Sequence, residues 1–335
     1  MAMDHDPDGF VPIIDLSDRH TPHGRAAVAA AIGRACEESG FYVVVGHGVP
    51  RDLVRRMDAV TRDFFALPDA EKDRVAHRPG VSGYRRVGGT SAHSIDRASP
   101  PDLCEAFGVH VTGDLDAAER ARLGDRWATW TLANVWPERP AGFRETWLAY
   151  LAAVRDLAAD LMRLSALALG LDEEFFADKF DHDGSSLAAN HYRPRPRHPL
   201  PGQLRRGPHT DFGALTVLHQ QDGRGGLQVE DTAGRWRDVA AVPGGFVVNI
   251  GDLMARWTGG RWVSTMHRVV NPPPGDTSSR LSVPFFYLPD HDAVVEPPPS
   301  LAGAAAGGGD GRAYERVTAG PWMSGKLRKL FAAAD

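Results

Sequence analysis

Beyond Leu187 the chain runs as short apolar or alternating stretches parted by Gly and Pro: LTVLHQ (215–220), GLQVE (226–230), WRDVA (236–240), GFVVNIG (245–251), MHRVV (266–270) and RLSVPFFYL (280–288). Each is about one strand long, and the spacing is that of an all-β barrel or a two-sheet sandwich. Within any such strand, residues i and i+2 project from the same face. The chemistry open to the chain therefore depends on which polar residues recur at that step.

The half before Leu187 is dominated by a helical period. FVPIIDL (10–16) is predicted as a short strand, 25–39 as an amphipathic helix stopped by Gly40, and FYVVV (41–45) as a buried strand. A second helix is predicted over 51–66, with Leu53, Met57, Val60 and Phe64 at spacings of a single face. The strongest pattern is Phe143, Trp147, Leu151, Val154, Leu157, Leu161 and Leu164, which predicts a long backbone helix over 143–169. The stretch 80–101 reads as a covering loop, 302–311 (AGAAAGGGDG) as a flexible one, and 322–333 as a basic amphipathic helix. In that helix Lys326, Arg328 and Lys329 fit a solvated face or a lid better than a membrane surface. No repeat or linker is visible. The expectation is one structural unit, 1–335, with an N-terminal region (1–110) packed on a helix-supported core (111–335).

A chain of 335 residues that is 42% hydrophobic can bury a full core. Its net charge of −5 supplies no basic field for nucleic acid. Two distant cysteines, Cys36 and Cys104, suit a reducing compartment rather than a disulfide framework. The acidic start shows no secretory signal, and no apolar run approaches the roughly 18 residues of a membrane span. A cytoplasmic protein acting on a small molecule, with neither nucleic acid nor membrane as partner, is the expectation; the oligomeric state is not legible. Abundant Ala, Arg, Gly and Pro suggest a GC-rich bacterial genome.

Chemistry concentrates in P-H-T-D-F-G, where His209 and Asp211 stand at i and i+2 and can reach one metal. Taken alone the pair is weak, since His182–Asp183 and His291–Asp292 show how readily such neighbours arise. A third ligand is offered by His267 in S-T-M-H-R-V. Two imidazoles and a carboxylate on one side of a metal leave the other side open, which suits iron(II) oxygen chemistry and does not exclude zinc. Arg280 and Ser282 in R-L-S repeat the i, i+2 step, and a guanidinium fork beside a hydroxyl is a carboxylate grip. Asn190 and Tyr192 repeat it again and could orient the other end of a small dicarboxylate.

These motifs, together with VPIIDL, GFYVVVGHGVP, LPDAEK, GYRRVGG, PPDLCEAFGV, GGLQV, VNIGD and RLSVPFF, follow one another along nearly the whole chain. The sequence thereby resembles the isopenicillin N synthase-like family of iron(II)- and 2-oxoglutarate-dependent dioxygenases. The resemblance implies a mainly β fold with flanking helices. Its core would be a distorted double-stranded β-helix, or jelly roll, with an N-terminal α/β region and a long backbone helix. It implies that His209, Asp211 and His267 bind Fe(II), that Arg280 and Ser282 hold the distal carboxylate of 2-oxoglutarate, and that Tyr192, with Asn190, also contacts that cosubstrate. The implied reaction consumes O2, releases succinate and CO2, and oxidises a small molecule. Hydroxylation in bacterial specialised metabolism, antibiotic biosynthesis included, is the leading outcome; desaturation, cyclisation or ethylene formation is the alternative. A zinc hydrolase or a non-catalytic binding protein ranks below both.

Tyr84 and Phe107 lie in regions that approach substrate in relatives, and Phe286 shares the parity of Arg280, so all three are pocket candidates. His47, in a tight Gly-flanked turn, is expected to be structural; His110, His191 and His219 flank candidate strands and are weaker pocket candidates. The basic stretch Arg193, Arg195 and Arg197, with Arg205 and Arg206 close behind, is either a solvated Pro-stiffened loop or a rim that favours an anionic substrate.

Overall fold

The computed structural model describes residues 9–89, 100–124, 132–194, 199–301 and 314–332, with side chains described as far as residue 326. Residues 90–99 of the expected 80–101 loop, the expected loop at 302–311, and Arg195, Arg197, Arg328 and Lys329 lie outside the described residues or side chains.

Strands β1 (Ile13–Asp15), β2 (Phe41–Val45), β3 (Tyr84–Arg85), β4 (Glu105–His110), β5 (Ser186–Tyr192), β7 (Leu215–Gln220), β10 (Phe246–Ile250) and β12 (Arg280–Tyr287) form one sheet in the order β1-β2-β10-β7-β12-β5-β4-β3. Facing it, β6 (Arg206–His209), β8 (Leu227–Glu230), β9 (Trp236–Asp238) and β11 (His267–Val269) form a four-stranded sheet in the order β6-β11-β8-β9. A small pair, β13 (Val294–Val295) and β14 (Val317–Thr318), stands apart. This is the expected two-sheet jelly-roll core, and both edges of its larger sheet come from residues before 111.

The two faces of that larger sheet do different work. Outward residues such as Tyr42, Val44, Phe107, Leu187, Val217, Val248 and Val283 join the helices in one core cluster. Inward residues Phe41, Val43, Tyr192 and Val247 meet Leu227, Val229 and Val269 of the smaller sheet in a second. Alternation along each strand produces this division.

Helix α1 (Pro22–Glu38) begins earlier than the sequence pattern suggested because Thr21 caps it, its hydroxyl accepting the Gly24 N–H at 3.0 Å, with Pro22 pre-set for the first turn. It ends at Gly40, whose φ of 68° suits the left-handed exit. A side chain there would meet the Val263 carbonyl oxygen at 2.1 Å. Helix α2 (Arg51–Phe65) buries Leu53, Met57, Val60 and Phe64 as predicted. The long helix, here α5 (Phe143–Ala168), follows α3 (Asp69–Lys72) and α4 (Ala117–Leu123) and packs on α1 and α2. Trp147 of α5 is fully buried and donates its indole N–H to Thr61 of α2 at 3.1 Å. A fully buried large apolar side chain contributes about 1.5–3 kcal/mol, so this aromatic layer backs the sheet firmly. Helix α6 (Asp252–Trp257) and the C-terminal α7 (Ala319–Ala332) complete the fold. No helix among the described residues is long and apolar enough to cross a membrane, and Cys36 and Cys104 are free and buried.

Candidate active site

His209 closes β6 and His267 opens β11, and the two strands pair so that these residues are direct neighbours. Their rings lie 4.2 Å apart. Each imidazole is fixed from behind: His209 Nδ1 lies 2.8 Å from the Gly207 carbonyl and His267 Nδ1 3.1 Å from that of Thr265. Protonated Nδ1 atoms donating to these carbonyls leave both Nε2 lone pairs free, the tautomer a metal requires. Asp211 Oδ1 lies 4.0 Å from His209 Nε2 and 3.9 Å from His267 Nε2.

The turn carrying Asp211 is anchored to α6. The Asp211 carbonyl accepts the Asp252 N–H at 2.8 Å, and the Phe212 carbonyl accepts that of Leu253 at 3.2 Å, so the loop caps the helix. This approach needs Gly251, where a Cβ would stand 2.2 Å from the Gly213 carbonyl oxygen. Asp211 Oδ2 is occupied by Thr216 Oγ1 at 2.6 Å and Asn249 Nδ2 at 2.8 Å, which turns Oδ1 toward the imidazoles. Burial works to raise the Asp211 pKa, but the two imidazoles and these hydrogen bonds outweigh it and hold the carboxyl below its ordinary range. Burial, with the charges of His267 and Arg206, pushes His209 well below the usual imidazole range. The triad is the group of His, Cys, Asp and Glu side chains among the described residues that converges as a metal site, its ligand atoms within 4.8 Å of one another.

The second half of the site lies on β12 and β5. Arg280 stands opposite Tyr192 and Ser282 opposite Asn190, so the two i, i+2 pairs read from the sequence form one four-residue patch. Arg280 is 1% exposed. Its Nη2 donates to Gln220 Oε1 at 3.2 Å and its Nε to the Arg224 carbonyl at 3.4 Å. Gln220 is itself oriented by the Ala240 carbonyl at 3.1 Å. The remaining nitrogen, Nη1, has no hydrogen-bond partner among the described residues. A buried cationic donor left open is expensive, and an anion relieves the expense. The Tyr192 ring lies under the Arg280 guanidinium at 5.3 Å, and burial pushes its phenol up to about 12, so it stays a neutral donor.

A cavity joins both halves, lined by the triad, Arg280, Ser282, Tyr192, Asn190, Asn249, Thr216, Arg206 and Phe286 together with apolar side chains. Phe286 is thus where parity placed it. Tyr84 and Phe107 are not, and their reading as pocket residues is corrected. They pair across β3 and β4 and pack on Phe64 of α2, at the outward face of the sheet. Tyr84 donates its hydroxyl to Glu105 at 2.6 Å. His110, His191 and His219 also lie outside the cavity lining. His191 binds Glu105 at 2.8 Å, and His219 packs on Phe246. Burial, with the charges of Arg85 and His77, pushes His110 down to about 4. His47 is structural as expected, bonded to the Gly244 carbonyl at 2.9 Å and stacked on Phe246. Arg193 is not a rim residue, because its guanidinium is spent on Glu105 at 2.8 Å and Asp69 at 3.0 Å.

Three contributors to the site escaped the sequence reading: Thr216, Gln220 and Asn249. Their signal was present as polar residues at one-face positions inside the apolar runs LTVLHQ and FVVNI.

Comparison with known proteins points the same way. Residues 184–289 match the 2OG-Fe(II) oxygenase superfamily, and residues 11–139 match the family described as non-haem dioxygenase in morphine synthesis N-terminal. The chain is 36% identical over 312 residues to validamycin A dioxygenase of Streptomyces hygroscopicus subsp. limoneus, covering 89% of this chain and 82% of that protein. It is 31% identical over 341 residues to a homoarginine-6-hydroxylase of Arabidopsis thaliana, covering 96% and 98%. Among solved structures, a full-length Neurospora crassa protein in complex with alpha-KG and thymine superposes with a TM-score of 0.81 at 26% identity, over 99% of this chain and 100% of that one.

Proposed function

The chain belongs to the 2OG-Fe(II) oxygenase superfamily, and on that premise we propose that it hydroxylates a small molecule at a centre where His209, Asp211 and His267 hold the iron and Arg280, Ser282, Tyr192 and Asn190 hold 2-oxoglutarate. The observation that carries this reading is the buried Arg280 fork, open at Nη1, in the same cavity as two imidazoles whose Nε2 atoms face one carboxylate oxygen. Both features fit their occupants: a borderline N/N/O donor set for a divalent transition metal, and an unpaired guanidinium for a carboxylate.

When bound, iron(II) with 2-oxoglutarate supplies dioxygen activation, so that 2-oxoglutarate, O2 and substrate R–H give succinate, CO2 and R–OH. The protein's share is positioning. The carbonyls of Gly207 and Thr265 hold the imidazole tautomers, Thr216 and Asn249 fix the free oxygen of Asp211, and Gln220 braces the Arg280 fork. Neutral Tyr192 and Ser282 add donors to the same carboxylate end. Apolar walls, Leu218, Leu227 and Phe286, keep bulk water from the reacting C–H bond. The similarity to validamycin A dioxygenase, a Streptomyces protein, supports a role in bacterial specialised metabolism.

Fe(II)-loaded protein given 2-oxoglutarate and a panel of small metabolites is expected to release succinate faster with the right substrate, and His267→Ala to abolish that release. Support of turnover by Zn(II) in place of Fe(II) would instead point to hydrolysis.

A further inference from the structure

The cavity walls sort by what they already do. His209, Asp211 and His267 form the triad, with Thr216 and Asn249 behind it, and Arg280 leads the carboxylate clamp. One charged wall residue is left over, Arg206.

Its presence there depends on an irregular backbone. Arg206 and His209 are three positions apart, and on a regular strand that odd separation would send their side chains to opposite faces. Strand β6 does not run regularly against β11: His209 stands opposite His267 and Arg206 opposite Val269, so β6 spends one more residue than its partner. Such a bulge re-aims a side chain, and here it returns Arg206 to the inward face, beside Val269 of the inner core. Asp102, 1% exposed, secures both features. Its Oδ1 accepts the Gly207 N–H at 2.8 Å, within the bulge, and its Oδ2 pairs with Arg206 Nη1 at 3.3 Å. The Arg206 side chain is 23% exposed and lines the cavity. Neighbouring Arg205 does a different job, lying over the Tyr192 ring at 5.8 Å and donating to the Ser278 carbonyl at 3.0 Å.

We propose that Arg206 is the specificity residue for substrate, and that it binds a carboxylate on a small molecule whose body is otherwise apolar. The apolar walls Leu218, Leu227, Val269 and Phe286 fit such a body. The inference rests on the iron and 2-oxoglutarate reading of the site, because only then is Arg280 already committed. The anionic preference considered for the basic stretch thus falls to its member on the His209 strand rather than to Arg193.

Binding without turnover tests it. Wild type, Arg206→Gln and Arg206→Lys are loaded with Mn(II) and 2-oxoglutarate, then titrated calorimetrically with benzoate and benzamide, phenylacetate and phenylacetamide, and hexanoate and hexanamide. Wild type is expected to bind at least one acid about tenfold or more tighter than its amide. Arg206→Gln should erase that preference, Arg206→Lys should restore part of it, and 2-oxoglutarate affinity should stay within about twofold in both. No acid preference in any wild-type pair, or a preference that survives Arg206→Gln, overturns the proposal. A parallel loss of 2-oxoglutarate affinity overturns it too, by assigning Arg206 to the cosubstrate. Failure of the wild type to bind 2-oxoglutarate with Mn(II) is a different signature and defeats the reading of the centre itself.

Discussion

Two buried polar clusters lie on either side of the larger sheet, with β5 contributing to both, and they are built to opposite rules. On the outward face Glu105 of β4, itself fully buried, takes hydrogen bonds from Lys72 at 2.9 Å, Tyr84 at 2.6 Å, and His191 and Arg193 at 2.8 Å each. Its two oxygens are saturated, and two cations, a phenol and an imidazole answer one carboxylate. On the inward face Arg280 is as deeply buried yet keeps an open nitrogen, and the two imidazoles present lone pairs to one another's side of the cavity. A saturated cluster stabilises; an unsaturated one at equal burial is waiting for a ligand. His191 belongs to the first while its chain neighbours Asn190 and Tyr192 belong to the second, so a single step along β5 separates structure from chemistry.

The contrast can be broken most forcefully at Glu105. Glu105→Gln leaves Lys72 and Arg193 around a neutral amide and should lower stability by about 3–5 kcal/mol, read as a fall in denaturation midpoint, while the folded fraction keeps its metal and 2-oxoglutarate affinities. Burial works to raise the Glu105 pKa, but hydrogen bonds from His191, Arg193, Tyr84 and Lys72 hold it well below the ordinary value of 4.5. A depressed native pKa means the stabilisation is complete above that ordinary value and fades as pH falls toward the native one. The gap between wild type and Glu105→Gln should therefore be full at neutral pH and narrow in acid. A gap that widened on acidification would show that the cluster is not closed as described.

A smaller effect is expected on the inward face from Asn249→Ala, which removes one of the two donors to Asp211 Oδ2, leaving Thr216, without touching a ligand. Metal affinity should drop about 10–100-fold, followed by metal titration, with little change in 2-oxoglutarate binding once the site is saturated. An affinity equal to wild type would mean that Thr216 alone suffices to orient Asp211.

Much of this was legible in the sequence because period-two alternation specifies which residues share a face. FYVVV forms β2 (Phe41–Val45) as read, and the i, i+2 pairs Arg280–Ser282 and Asn190–Tyr192 meet across β12 and β5. Alternation does not say which face is inward. Tyr84 and Phe107 were read into the pocket because those regions approach substrate in relatives, but their register turns them to the helices. Nor does it anticipate a bulge, and the Arg206 side chain reaches the cavity only through one. Arg193 was read as either a solvated loop residue or a rim residue because its partner, Glu105, is remote in the chain and pairing across strands leaves no local trace. Short elements such as α3 and α6 carry too few residues to show a period, yet α6 is what fixes the Asp211 turn.

The central claim is that the open Arg280 fork and the triad form one site. The most direct measurement is the dissociation constant of 2-oxoglutarate for wild type and Arg280→Leu, each with and without Mn(II) under anaerobic conditions. One cosubstrate per chain should bind only when metal is present, and Arg280→Leu should weaken it about 10–100-fold with metal affinity retained. Binding that ignores the metal, or that is unchanged in Arg280→Leu, would contradict the account.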